Sequence, residues 1–501
     1  MSKALSVEAY RQATDPNRKS KLRIEKEEWF ALAALAPAVV ISPFLLGGMV
    51  WWSQVTIACL QVLAFVLVAT PITGLASWRG RMVRLLRFPP FWLGGLFVLY
   101  VTIQALNPSW EQIYISETQS YVTERKPEYF IQWLPTSMNT NFYTMNAWRM
   151  VVFWSGAWLF VAAMWMGLKN RSAWLALGWI ALVTGAILSL ASIAHHLSSD
   201  PNLFWLSKYK RSIGAFGPFV YRNQGAVYLY LTMGLGLAMF LHFLRRGHMR
   251  SGLPWVALAL SFACLLGVAL NPSRGGWLGA GGILALFLVL LPFSIRWTQG
   301  ISLPVLISSA VIVLALLGVG FWVARTMDFS EIEKKWATFS EGDDVSFNAR
   351  FILSRLTWEM FEEKPWTGWG AGSFQYQFPY YGLSYPELYF AGKPGWKSYG
   401  KVTNNYKQSH NDLFQFLAEY GIFGCSLLVL CGAYCLFFPA MTGSVLINLL
   451  MVVGVSFVFL VHNMGDFFLQ NSISLSAWLL LLMIGSCMSS KSVSRNPLQL
   501  R

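Results

Sequence analysis

The sequence predicts an all-α protein that crosses a membrane many times, on three observations. The 501 residues are 55% hydrophobic and 12% charged, with a mean hydropathy of +0.47. Apolar stretches of about twenty residues, the length a helix needs to cross a hydrocarbon layer of roughly 30 Å, recur along the chain. The Lys and Arg residues fall mostly between those stretches. Helices are expected because a helix satisfies its own backbone polar groups in lipid. The net charge of +15 is therefore spread over loops, and no nucleic-acid partner is expected.

About twelve spans follow. The first six run Phe30 to Val50, Val55 to Ala76, Phe88 to Leu106, Ala147 to Leu168, Ala173 to Ala194 and Asn223 to Leu244. The others run Leu253 to Leu270, Gly275 to Phe293, Ser302 to Ala324, Asp412 to Phe438, Ser444 to Val461 and Gln470 to Met488. Alternate loops are short and basic, among them Arg79 to Arg87, Lys169 with Arg171, and Arg245 with Arg246 and Arg250. By the positive-inside rule they lie in the cytoplasm, with both termini. Residues 1–29 form a mixed-charge cytoplasmic segment without a signal-type cleavage site, expected to be retained, and 489–501 a cytoplasmic tail. All six cysteines sit inside apolar stretches, so no loop carries a disulfide framework or a metal-ligand spacing.

The opposite face receives three substantial pieces: Asn107 to Asn146, His195 to Arg222, and a long loop, 325–410, between the ninth and tenth spans. That loop contains an expected helix, Ser346 to Lys364, with Phe347, Phe351, Leu356 and Met360 spaced as one apolar face. Its remainder is dense in Trp, Tyr, Gly and Pro, which predicts a packed irregular lid. Gly368, Gly370 and Gly372 follow no strand and open no βαβ unit. They read as a tight turn and not as a nucleotide loop.

Four polar segments all fall on this outer face. GAFGPFVYRNQGAVYLYL carries Arg222 and Asn223, and NPSRGGWLGAGG carries Arg274. FNARFILSRLTWEMFEEKPWTGWGAGSF carries Arg350, and QSHNDLFQFLAEYGIFG carries His410, Asn411 and Asp412. His462, Asn463, Gly465 and Asp466 follow at the outer end of the eleventh span. In this order and spacing the segments resemble the O-antigen ligase and polymerase family of bacterial envelope glycan assembly, over roughly Ser212 to Met488. The region 212–488 is the expected O-antigen ligase-like unit, and spans one to five, within 30–211, carry no recognised motif.

The resemblance implies an inner-membrane, GT-C-like glycosyltransferase with a periplasmic site. Its donor would be an undecaprenyl-diphosphate-linked glycan, its acceptor a glycan or lipid-core hydroxyl, and membrane lipids its surroundings. Transfer would be inverting and would use no metal or cofactor. Ligase and polymerase share this chemistry, and both stay open. Arg222, Arg274 and Arg350 offer permanently charged planar donors suited to a diphosphate and to the charge that develops on it as it leaves. His410, at a helix mouth, is the candidate general base. Asn223, Asn411, Asp412, Trp369 and Tyr380 are candidate sugar contacts, and His462 with Asp466 would support the site from behind.

Plainer readings stand beside these. Arg222 and Arg274 fit helix-end arginines that snorkel to headgroups. Arg350 fits a salt bridge on the loop helix, with Asp343 or Asp344. His410 fits an exposed neighbour of a Ser409 cap, and most outer aromatics fit an interfacial belt. The rival function is a transporter of about twelve spans, which would carry polar sites near mid-membrane. The mid-span stretches here are largely free of charge, Glu419 being the exception.

Overall fold

The computed structural model describes residues 24–116, 120–125, 130–198, 200–212, 214–246, 251–294, 345–385, 388, 406–441 and 446–489. It is mostly helical. The first helices are α1 (Lys26–Val40), α2 (Trp51–Ala69), α3 (Leu75–Leu86), α4 (Pro89–Leu106), α5 (Ala147–Gly167), α6 (Arg171–Leu197) and α7 (Arg222–Arg245). They are followed by α8 (Leu253–Leu270), α9 (Arg274–Ser294), α10 (Val345–Glu363), α11 (Phe374–Gly382), α12 (Asp412–Met441), α13 (Leu446–Asn463) and α14 (Ser472–Ser489). Among the described residues nine helices are long and apolar enough to cross a membrane, and α13 and α14 add two shorter apolar ones. Eleven of the expected spans coincide with helices; the ninth, Ser302 to Ala324, lies outside the described residues, as do Asp343, Asp344 and two outer-loop aromatics, Tyr389 and Trp396.

Two expected spans are corrected. The first ends at Val40 and continues as two 3-10 turns, because Pro43 opens one turn while Gly47 and Gly48 take φ of 62° and 70°. The second stops at Ala69. Pro71 and Gly74 (φ 106°) then separate it from α3, a basic helix holding Arg79, Arg81 and Arg84. On α10, Phe351 is exposed, and Leu353 joins Leu356 and Met360 in the buried face instead. The sequence reading contained no strands. The structure has β1 (Pro108–Ile115), β2 (Ser120–Arg125) and β3 (Ser137–Asn139) in one sheet of order β2-β1-β3, and a hairpin of β4 (Asn202–Leu203) and β5 (Leu206–Lys210).

Helix α7 is the axis of the bundle. Every residue from Gln224 to Leu244 is buried, and α6, α8, α9, α13 and α14 pack around it. Lipid tails supply no hydrophobic drive between spans, so close approach at small residues matters most. A Cβ on Gly236 would lie 2.1 Å from Ser261 Oγ on α8, and one on Gly234 3.0 Å from a Val455 methyl on α13.

The two ends of the bundle differ. At one end buried Glu28 accepts the backbone N–H groups of Lys169 (2.8 Å) and Asn170 (2.6 Å). Arg84 donates to the Leu168 and Met166 carbonyls, which ties α3 to the turn between α5 and α6, and Arg81 stands 3.9 Å from Glu27 on α1. At the other end meet the starts of α2, α5, α7, α9, α12 and α14 with the ends of α4 and α13.

The lid is joined to this second end through a break in α12. Gly421, at φ 62° and ψ −173°, interrupts the helix. The freed carbonyls of Ala418 and Glu419 accept from Trp369 N (2.8 Å) and Gly370 N (2.9 Å). In return the N–H groups of Ile422 and Phe423 donate to Pro365 O and Trp366 O. All four backbone groups are thus satisfied across the junction. Gly368, Gly370 and Gly372 have φ of 69°, 104° and 71°, the tight turn that the sequence predicts.

A Cβ on Gly421 would lie 2.4 Å from the Trp366 carbonyl, on a backbone conformation that costs a side chain on the order of 1–3 kcal/mol. Gly421→Ala is expected to lower the thermal unfolding midpoint of the detergent-purified protein by several degrees. Gly432→Ala, in open space on the same helix, should leave it unchanged. Equal midpoints for the two variants would contradict the junction.

Candidate functional site

The site forms where the α13–α14 turn folds back against the start of α12. Asn463 Oδ1 accepts Phe468 N (2.9 Å), and Asp412 accepts Leu469 N (2.6 Å) and Gln470 Nε2 (3.0 Å). Asn471 caps α14 through Ser474 N (3.0 Å) and donates to Gly47 O (2.7 Å). Held this way, the turn carries Asp466 into the interior, with none of its surface exposed.

Four side chains from three elements converge on that carboxylate. From the start of α7, Tyr221 OH donates to Oδ2 at 3.0 Å and Asn223 Nδ2 donates to it at 2.6 Å. From α10, Arg350 Nη2 stands 3.8 Å from Oδ2 and 3.5 Å from the Tyr221 hydroxyl. From the approach to α12, His410 Nδ1 faces Oδ1 at 3.5 Å. Tyr221 stacks on Phe467 at 5.2 Å and 13°, and the His410 ring meets the edge of Phe467 at 5.1 Å. His410 holds a left-handed backbone, φ 55°, sparsely populated for a residue other than glycine and a recurrent mark of functional positions.

Burial alone would raise the Asp466 pKa. The facing His410, Arg350 and His462 outweigh it and hold the carboxyl well below the ordinary carboxylate range, so it is ionised at neutral pH. The Tyr221 hydroxyl is pushed up by burial and by the same carboxylate, and stays a donor. A carboxylate at Oδ1 favours the imidazole tautomer with hydrogen on Nδ1, which leaves Nε2 as the free base.

The predicted residues separate into those brought to this point and those not. Arg350, Asn223, His410 and Asp466 meet directly. Arg222, between Tyr221 and Asn223, receives Asn271 Nδ2 on its carbonyl at 2.8 Å. Arg274 opens α9 one residue before Gly275, whose Cβ position lies 2.1 Å from His462 Nε2. Both arginines therefore lie at the same end. His462 lies behind the cluster, its Nδ1 3.3 Å from Tyr230 OH.

Asn411 and Asp412 are buried and engaged within the fold. Asn411 Oδ1 accepts Phe414 N at 3.2 Å, so the cap of α12 is Asn411 and not Ser409. Trp369 packs in the lid, with its indole N–H on Met360 O (2.8 Å) and Lys364 Nζ 3.9 Å from its ring. Tyr380 is exposed, its hydroxyl 3.3 Å from Thr123 O. Arg355 pairs with Glu359 at 3.3 Å on the outside of α10.

Sequence reasoning missed Tyr221. The signal was present, because it immediately precedes Arg222 and Asn223 at a span boundary. Glu419, the charge inside a span, accepts Gly372 N (3.1 Å), Phe374 N (3.2 Å) and Gln415 Nε2 (3.1 Å), so it anchors the lid.

A multi-pass membrane protein with a buried ionic cluster at one end of its bundle is the class that this arrangement defines. Residues 259–429 match the O-antigen ligase (Wzy_C) family model. The match spans Arg274, Arg350 and His410, whereas Tyr221, Asn223 and Asp466 come to the cluster from outside it. No curated protein matches the chain.

Asp466→Asn and Arg350→Gln should each lower thermal stability, and the double variant by less than their sum, with a coupling of ~1 kcal/mol. Strict additivity in that double-mutant cycle would show that the two side chains do not interact.

Proposed function

We propose that the chain is an O-antigen ligase-like glycosyltransferase of the GT-C kind with about twelve spans, seated in the bacterial inner membrane with both termini cytoplasmic. It takes a glycan from an undecaprenyl diphosphate donor to an acceptor hydroxyl at the periplasmic end of the bundle. The observation that carries this reading is the meeting of His410, Arg350, Tyr221 and Asn223 around Asp466, contributed by segments inside and outside the matched region.

His410 Nε2 removes the acceptor proton while Asp466 holds the opposite nitrogen and stabilises the imidazolium that forms. The acceptor oxygen bonds to the anomeric carbon as the bond to the diphosphate breaks, and the electron pair departs on the diphosphate. Attack opposite to the leaving group inverts that carbon. Arg350, Arg222 and Arg274 bind the diphosphate and stabilise the growing charge, a task that guanidinium groups perform without a metal. Asn223 and Tyr380 are the polar groups proposed to meet the glycan.

The test uses purified protein in nanodiscs with a polyprenyl diphosphate glycan donor, candidate acceptors and EDTA. Release of polyprenyl diphosphate is expected from wild type and reduced roughly 10²–10⁴-fold in His410→Ala. Arg350→Ala should raise the donor concentration needed for half-maximal rate about tenfold. Normal release from His410→Ala would remove the base assignment. Movement of donor between leaflets without release would support a transporter instead.

A further inference from the structure

A second anion site is built into the N-terminal half, on helices that contribute nothing to the Asp466 cluster. Arg149, in the first turn of α5, is nine-tenths buried at 7% exposure. Its Nε donates to Gln54 Oε1 on α2 at 2.9 Å and its Nη1 to Tyr143 O at 3.4 Å. Both acceptors are neutral. Among the described residues no carboxylate lies within 4.0 Å of the guanidinium, and Nη2 makes no hydrogen bond.

A buried charge without a partner of opposite sign is expensive. The buried Arg81 and half-buried Arg84 at the other end of the bundle have Glu27 and Glu28 as acidic neighbours. Arg149 has only neutral dipoles and, at an α-helix start, the positive end of the macrodipole as well. Aromatic residues neighbour the position in the chain. Trp51, one turn before Gln54, meets Tyr143 edge-on at 5.0 Å and Phe142 at 6.4 Å, and both Trp51 and Tyr143 are exposed. An anionic oxygen group at Nη2 would complete the charge balance, with aromatic surface beside it for an attached sugar or glycerol moiety.

We propose that Arg149 and Gln54, beside Trp51 and Tyr143, bind the phosphate of an amphiphile at the membrane boundary, either a phospholipid headgroup or a phosphorylated glycan. The site does not depend on glycosyl transfer at the Asp466 cluster.

The full chain in detergent is titrated with dihexanoyl phosphatidylglycerol and, separately, with glucosamine 6-phosphate, with dihexanoylglycerol and glucosamine as phosphate-free controls. The thermal midpoint is read for wild type, Arg149→Met and Arg350→Ala. A saturable rise is expected in wild type and Arg350→Ala, with at least tenfold weaker response in Arg149→Met. A rise with the lipid alone assigns the site to a headgroup, and a rise with the phosphosugar to a glycan phosphate. Gln54→Leu serves as a second variant that keeps Arg149 and is expected to weaken the response. No phosphate-dependent rise in wild type, or a rise kept in Arg149→Met and lost in Arg350→Ala, overturns the proposal.

Discussion

A carboxylate buried away from water must be surrounded by donors or give up its charge, and Asp466 imposes that condition on three separate parts of the chain. Tyr221 and Asn223 reach it from α7, Arg350 from α10 and His410 from the approach to α12. Its own turn is held by Asp412, Asn463 and Asn471, so the charge cannot swing out to solvent without undoing the starts of α12 and α14. Removing one partner unbalances a buried ion that accepts hydrogen bonds from Tyr221 and Asn223 and faces Arg350 and His410. Convergence of this kind fixes a histidine ring and an arginine fork relative to one another, the requirement for a base and a leaving-group stabiliser that must act on one substrate.

The lid is fixed by a related device. The break at Gly421 exposes two carbonyls and two N–H groups in the middle of a helix, and the Pro365–Gly370 backbone takes up all four. Glu419 completes the junction by accepting Gly372 and Phe374. A charge that the transporter reading would assign to a pathway is therefore consumed in joining a loop to its helix, immediately along α12 from the residues that meet Asp466.

Much of the helical frame was legible because it is governed by length and hydropathy alone. The span Leu253–Leu270 has the boundaries expected of it, and α5, α7 and α9 shift by only a residue at an end. His410, Asn223 and Arg350 were legible as chemistry-bearing residues outside apolar stretches. The centre of the cluster was not. Asp466 was expected, with His462, only to support the site from behind, and only tertiary folding of the α13–α14 turn shows that it is the buried, shared centre. Tyr221 was hidden among interfacial aromatics. Trp369 misled for the opposite reason, since a ring in an outer loop suggests a sugar platform while here it fills the lid core under Lys364. The strands at Pro108–Ile115 and Ser120–Arg125 lie between spans, where hydropathy carries little information.

The central claim is that transfer depends on Asp466 through His410. The most direct test is the pH dependence of polyprenyl diphosphate release by Asp466→Asn beside wild type, with unfolding midpoints measured in parallel. The account predicts a rate lowered roughly 10²-fold or more in the folded variant across the pH range, because an amide neither fixes the imidazole tautomer nor stabilises its cation. A folded Asp466→Asn protein with the wild-type rate and pH profile would contradict it.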